Sequence, residues 1–147
     1  MLVSVGTFAQ IGQDLQLADQ YAADGEYEKA VELYKDIFDH TPNDYVYNAY
    51  LKCLLDMKND EQAEKLVRRQ IKRNADESAY WVDLGFVYAS QGQAQKAAEQ
   101  YDKAIKNTGR EQQELMRTAG RFIYFRELDR AIEVYKKGKE RFRGGSS

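Results

Sequence analysis

The sequence predicts an all-α fold, an α-solenoid of helix-turn-helix units. Two observations predict it: a set of anchor residues recurs about every 34 positions, and no stretch shows the strict apolar/polar alternation of a strand. The clearest copy is Trp81, Leu84, Gly85, Tyr88, Gly92, Ala97, Tyr101 and Ala104. Each unit reads as two amphipathic helices that cannot bury their apolar faces alone, so neighbours must stack, and function belongs on a surface rather than in a pocket.

Ala97 sets the register, because a small side chain lets two antiparallel helices approach at their crossing. Its counterparts are Ala30, Ala63 and Ala131, at spacings of 33, 34 and 34. Gly85 is matched by Ala18, Leu51 and Ala119; Tyr88 by Tyr21, Leu54 and Phe122; Tyr101 by Tyr34, Val67 and Tyr135. Small residues thus sit at the crossing and large ones fill the wedge beside it.

The elements follow in order. Residues 1–10 lie outside the repeats and are apolar, either a cap on the first unit or the end of a bacterial secretory signal closing on Ala9. No basic residue precedes Lys29, so the segment is not a complete signal as it stands. The signal reading would place the protein in the periplasm or outside the cell, the cap reading in the cytoplasm.

The units span residues 11–43, 44–77, 78–111 and 112–143, with helices expected at 11–23, 27–40, 44–57, 60–73, 78–91, 94–107, 111–124 and 128–142. Gly25 and Gly92 suit left-handed helix ends, and Asp44, Asp60 and Ser78 are candidate N-caps. Pro42 falls after a helix has ended, where proline is tolerated. The fourth unit has no glycine in its turn around Arg126. Residues 144–147, Gly-Gly-Ser-Ser, read as a flexible tail or an appended scar.

At these residues the chain resembles the tetratricopeptide repeat (TPR) family, with its pattern W-x₂-L-G-x₂-Y, then A-x₃-F, then P. The match is strongest from Ser78 to Glu111 and good from Ile11 to Asn43; the second unit departs with Tyr47, Tyr50 and Gln70, the fourth with Leu115 and Thr118. The resemblance implies a right-handed superhelix of four units whose first helices line a groove for extended or helical peptides.

Composition narrows the function classes. Hydrophobic residues make up 43% and charged residues 31% of 147, and no apolar run approaches a membrane span. Cys53 is the only cysteine and His40 the only histidine, which excludes an intramolecular disulfide framework and a multi-Cys/His zinc site. Cys53 is expected to pack, and His40 to sit at a helix end. There is no phosphate-binding glycine loop, no His-Glu-x-x-His and no serine with histidine and acid partners, so no catalytic residue, cofactor or metal is expected.

A basic run, Lys65, Arg68, Arg69, Lys72 and Arg73, lies on a second helix, but Asp60, Glu61 and Glu64 precede it and the net charge is −2, which argues against nucleic acid.

Residues one period apart should stand side by side, giving ladders such as Leu15, Asn48, Val82, Met116 and Asp19, Lys52, Phe86, Gly120. The groove so drawn offers Asn48, Lys52, Leu55, Val82, Phe86, Met116, Ile123 and Tyr124 as candidate peptide-binding residues, with Phe86, Met116, Ile123 and Tyr124 as an apolar pocket. Of the tyrosines only Tyr45 and Tyr124 are left as groove candidates.

The carboxylate clamp by which some TPR domains hold acidic tails is excluded. The matching positions hold Leu15, Asp19, Ala49, Ala79 and Asp83, or, starting one unit on, Asn48, Lys52, Asp83, Gln113 and Arg117, a partial match with an acid in the middle; Asp19 and Asp83 would repel an anion.

A non-catalytic module for a protein or peptide partner is the expected function. The alternative is a self-associating scaffold. Residues 1–43 hold eight acids and two bases, residues 112–147 five acids and nine bases, a gradient suited to head-to-tail contact between copies. Phe122, Phe125, Tyr135 and Phe142 are expected to leave an apolar face on the last unit.

Overall fold

A computed structural model describes residues 8–143. The described residues form eight helices and no strand: α1 (Phe8–Ala23), α2 (Tyr27–His40), α3 (Asp44–Asp56), α4 (Asp60–Arg73), α5 (Ala79–Ser90), α6 (Ala94–Asn107), α7 (Gln112–Tyr124) and α8 (Leu128–Phe142). This is the all-α helical-repeat solenoid class. The first helix starts three residues before the expected boundary, so Phe8 to Gln10 are helical. The rest of the 1–10 segment and the 144–147 tail lie outside the described residues.

The turn inside each helix pair is built the same way in all four units. Gly25, Lys58, Gly92 and Arg126 have positive φ, at 78°, 57°, 75° and 63°. In every case the next amide reaches back five residues, as when Glu26 N donates to Tyr21 O at 2.8 Å and Glu127 N to Phe122 O at 2.8 Å. This is the Schellman helix end. Glycine enters the left-handed region freely, whereas Lys58 and Arg126 are strained there. Arg126→Gly is therefore expected to stabilise the chain by about 0.5–1 kcal/mol, readable in urea unfolding.

Two expected N-caps move by one residue. Asn43 Oδ1 accepts from Val46 N at 3.0 Å and Asn59 Oδ1 from Gln62 N at 3.3 Å, so Asp44 and Asp60 are the first helical residues. Their charges there still favour the N-terminal dipole. Ser78 holds the cap position but its hydroxyl turns away, donating to Glu114 Oε1 at 2.8 Å.

The chain divides into two compact units, up to Ala63 and from Glu64 onward. In the first, α1, α2 and α3 pack around Ala18, Ala30, Tyr34, Phe38, Leu51 and Leu54, all at most 2% exposed. Phe38 lies against Tyr47 and Tyr50, ring centroids 6.3 and 6.4 Å away. Asp19 joins the three helices, accepting from Tyr34 Oη at 2.5 Å and Tyr45 Oη at 2.8 Å. Burial and that bond raise the Tyr34 pKa. Cys53 is buried, and desolvation pushes its thiol pKa up, as suits a packing residue.

In the second unit α5 is apolar nearly all round, the pattern of a helix buried between neighbours. It packs on α6 and on α7. Gly85 makes this possible: a Cβ there would stand 2.4 Å from Tyr101 Cε1 and 3.1 Å from the Ala97 carbonyl oxygen.

A buried polar seam ties α7 to the segments before it. Glu114 takes the Ser78 hydroxyl, and Thr108 donates to Thr118 at 3.0 Å. Lys137 of α8 donates to Ile105 O at 2.7 Å and Lys106 O at 2.8 Å, stabilising the C-terminal end of α6.

Candidate functional site

The face shared by α5 and α7 carries a cluster of aromatic and charged side chains. At its centre Arg121 Nε donates to Asp83 Oδ1 at 2.7 Å, with Asp83 1% and Arg121 18% exposed along their side chains. The guanidinium carbon lies 4.8 Å from the ring centre of Tyr124 and 5.1 Å from that of Phe125. Phe125 in turn stacks on Phe86 at 4.1 Å with 15° between planes, and meets Tyr124 edge-on at 5.0 Å. The cation bonded to this buried acid thus also lies against two rings of the cluster.

Tyr124 is 53% exposed, and Ile123, the residue before it on α7, is 46% exposed. Phe86 is half-buried by its stack on Phe125 and supports the surface more than it forms it. Val82 is fully buried and is not available to a ligand, because α5 is covered by both α6 and α7. Met116 is 51% exposed but faces elsewhere: with Leu115, Tyr135, Gly138 and Phe142 it lines a cavity of about 340 Å³ beside α8. The pocket drawn from the ladders is therefore divided, with Tyr124 joined to Phe86 through Phe125 and Met116 apart.

In the first unit Asn48 and Leu55 are half-buried and Lys52 is exposed, all on α3. Lys52 Nζ is paired with Asp56 Oδ2 at 2.6 Å, one turn on. Tyr45 is 58% exposed, yet its hydroxyl is engaged by Asp19.

Other sequence candidates resolve into structural roles. Arg68, from the basic run, donates to Glu64 Oε1 at 2.9 Å and Tyr88 Oη at 2.6 Å, and Tyr88 donates to Glu64 at 2.9 Å. Although burial opposes it, these bonds hold the Glu64 pKa below the usual carboxylate value. His40 Nδ1 lies 2.8 Å from Asp36 O at the end of α2.

Of the aromatic residues assigned to the last unit's open face, Phe122 is fully buried against Tyr101 and Phe125 belongs to the α5–α7 cluster. Tyr135 and Phe142 are on that face, 41% and 39% exposed, so Tyr135 is not the buried anchor that Tyr34 and Tyr101 are.

Asp83, Arg121 and Phe125 were missed as a constellation. One signal existed: Asp83 is the only charge in α5, and an acid inside an apolar helix needs a partner.

Among the described residues no group of three or more His, Cys, Asp or Glu side chains is placed to hold a metal ion. No described helix is long and apolar enough to cross a membrane.

Comparison with known proteins agrees with the fold. Two family profiles, each described as tetratricopeptide repeat, match residues 21–85 and 78–108. Among solved structures the chain is similar to MamA 41-end from Desulfovibrio magneticus RS-1, at 20% identity over 93% of this chain and 78% of that one, with a TM-score of 0.52. It is also similar to the Sgt2 TPR domain from Aspergillus fumigatus, at 17% identity over 88% of each chain, with a TM-score of 0.55. At such identities the likeness is one of fold. No curated protein sequence matches.

Proposed function

The chain belongs to the tetratricopeptide-repeat family, and from that premise we propose that it is a non-catalytic protein-interaction module that seats a partner segment on the α5–α7 face around Tyr124. The observation that carries this reading is the braced aromatic: Tyr124 stands 53% exposed while Phe125 and the Arg121 guanidinium hold its ring from two sides. A rigid, partly exposed tyrosine loses little side-chain entropy on binding, and such residues dominate interface energetics.

Ile123 beside it widens the apolar area, so the partner segment should bring an apolar or aromatic anchor. In the first unit Asn48, Lys52 and Leu55 are the matching candidates on α3. For Lys52 to hold a partner's carboxylate or carbonyl it must leave Asp56, which for an exposed pair costs about 0–1 kcal/mol.

The test is a peptide selected on the wild-type chain from a display library, with affinity read by fluorescence anisotropy. Ile123→Ala with Tyr124→Ala should weaken binding at least about tenfold, with helical content unchanged. Equal affinity in the double variant removes this reading.

A further inference from the structure

The cavity beside α8 belongs to a different surface, and the structure shows what covers such a face elsewhere in the chain. One period back, Tyr135 corresponds to Tyr101, Gly138 to Ala104 and Phe142 to Thr108. Those three residues are at most 4% exposed, Tyr101 and Thr108 lying against α7; in α8 Gly138 is already buried against Leu115, which leaves Tyr135 and Phe142 as the open positions. Phe122 meets the Tyr101 ring edge-on at 5.5 Å, Thr118 takes the Thr108 hydroxyl and Glu114 takes that of Ser78. The cover is thus a helix with three side chains one turn apart, followed by a second helix whose Lys137 reaches the end of α6.

The first unit of the same chain carries a matching set. Counted back through the repeats, Glu114, Thr118 and Phe122 of α7 become Gln13, Leu17 and Tyr21 of α1. Gln13 is exposed, Leu17 is 44% exposed and Tyr21 is half-buried. Laid on the face of α8 in the same way, Leu17 would meet Phe142, Tyr21 would meet Tyr135, and Gln13 would meet Gln112.

The charges change sides in step. The counterpart of Lys137 in α2 is Asp36, whose side chain is 73% exposed, and the counterparts of Ile105 and Lys106 in α8 are Lys139 and Glu140. Where the internal contact sets a lysine on backbone carbonyls, the external one brings Asp36 to the end of α8, where the exposed Lys139 is the base within reach and Glu140 stands beside it. The wider field agrees, with eight acids against two bases in residues 1–43 and nine bases against five acids in residues 112–147.

We propose that this face of α7 and α8 is an interface between copies of the chain, occupied by α1 and α2 of a second copy joined head to tail. Two different surfaces meet, so the contact does not close on itself as a twofold dimer does, and it propagates into open chains or a ring. It leaves Ile123 and Tyr124 outside its contact set, so this proposal and the peptide-binding one stand or fall separately.

Sedimentation velocity on the whole chain decides it. The wild-type mass should rise with concentration and fall with added salt, since the Asp36 and Lys139 side chains are solvent-facing. Leu17→Glu blocks the head and Phe142→Glu the tail, so each variant alone should remain monomeric with unchanged helical content. Mixed, they should form pairs and stop there, because each supplies the surface the other lacks.

Lys139→Glu should weaken association, and adding Asp36→Lys should restore it. A wild-type chain that stays monomeric at high concentration and low salt overturns the proposal. So does a mixture that forms no pairs, or a dimer that persists in either blocked variant alone.

Discussion

Asp83→Ala is expected to destabilise the second unit by about 3 kcal/mol and to weaken capture of any segment that binds at Tyr124. The carboxylate is 1% exposed and accepts from Arg121 Nε at 2.7 Å, so its removal takes the anion bonded to Nε from a guanidinium that is only 18% exposed. The loss should fall at the lower end for a buried pair, because Arg121 keeps some access to water.

Arg121→Met tests the other half, taking this cation from an acid with still less access to water. The combined Asp83→Leu, Arg121→Met chain should recover much of either loss, since a buried ion pair replaced as a whole by apolar groups of similar size is often neutral. Urea unfolding of the four chains checks this. A double variant no more stable than the worse single one would show that the pair is not the source of the effect.

Peptide affinity should not recover with stability. The apolar double variant no longer holds a cation over the rings of Tyr124 and Phe125, which lie 4.8 and 5.1 Å from it. Stability and binding thus separate the two roles of Arg121.

The fold was legible because its anchors answer to steric demands that repeat. Ala30, Ala63, Ala97 and Ala131 are all at most 3% exposed, and α2, α4, α6 and α8 have the expected boundaries. The caps were less legible: Asn43 with Asp44, and Asn59 with Asp60, are adjacent residues that both favour the N-cap, and only the phase of the helix decides between them. The turns at Lys58 and Arg126 carried no glycine, yet the geometry of the unit forces the same left-handed residue there.

The candidate site was legible only in part, for a geometric reason. The period states which residues stand at equivalent places, but not how far each helix is turned about its axis toward its neighbours. Val82 and Tyr124 both looked groove-facing on spacing alone, and the first is fully buried while the second is 53% exposed. Asp83 and Arg121 are 38 residues apart, one period plus a turn, so a ladder of equivalent positions does not bring them together.

Gly85→Ala is expected to destabilise the chain by about 1–3 kcal/mol through overpacking, although alanine is the better helix former by about 1 kcal/mol. The new Cβ would stand 2.4 and 2.5 Å from two ring carbons of Tyr101, and 3.1 Å from the Ala97 carbonyl. The ring has little room to retreat, with Phe122 edge-on at 5.5 Å and the Arg130 guanidinium 4.9 Å from its centre.

The first unit keeps alanine and tyrosine at the same two places, Ala18 and Tyr34, but there Asp19 holds the tyrosine hydroxyl. In the third unit the place of Asp19 is taken by Phe86, and the Tyr101 hydroxyl is buried with no protein partner. Tyr101→Phe should accordingly cost nothing or stabilise slightly, since it removes an unsatisfied polar group.

At the corresponding positions of the second unit, large and small are exchanged, Leu51 and Val67 standing for Gly85 and Tyr101. Combining Gly85→Ala with Tyr101→Val should therefore cost less than the sum of the two single changes, by roughly 0.5–3 kcal/mol of coupling. Urea denaturation of the cycle measures it. Strict additivity would mean that the crossing tolerates a methyl group by shifting its backbone, and that the small residue at this place in the repeat does not depend on the ring beside it.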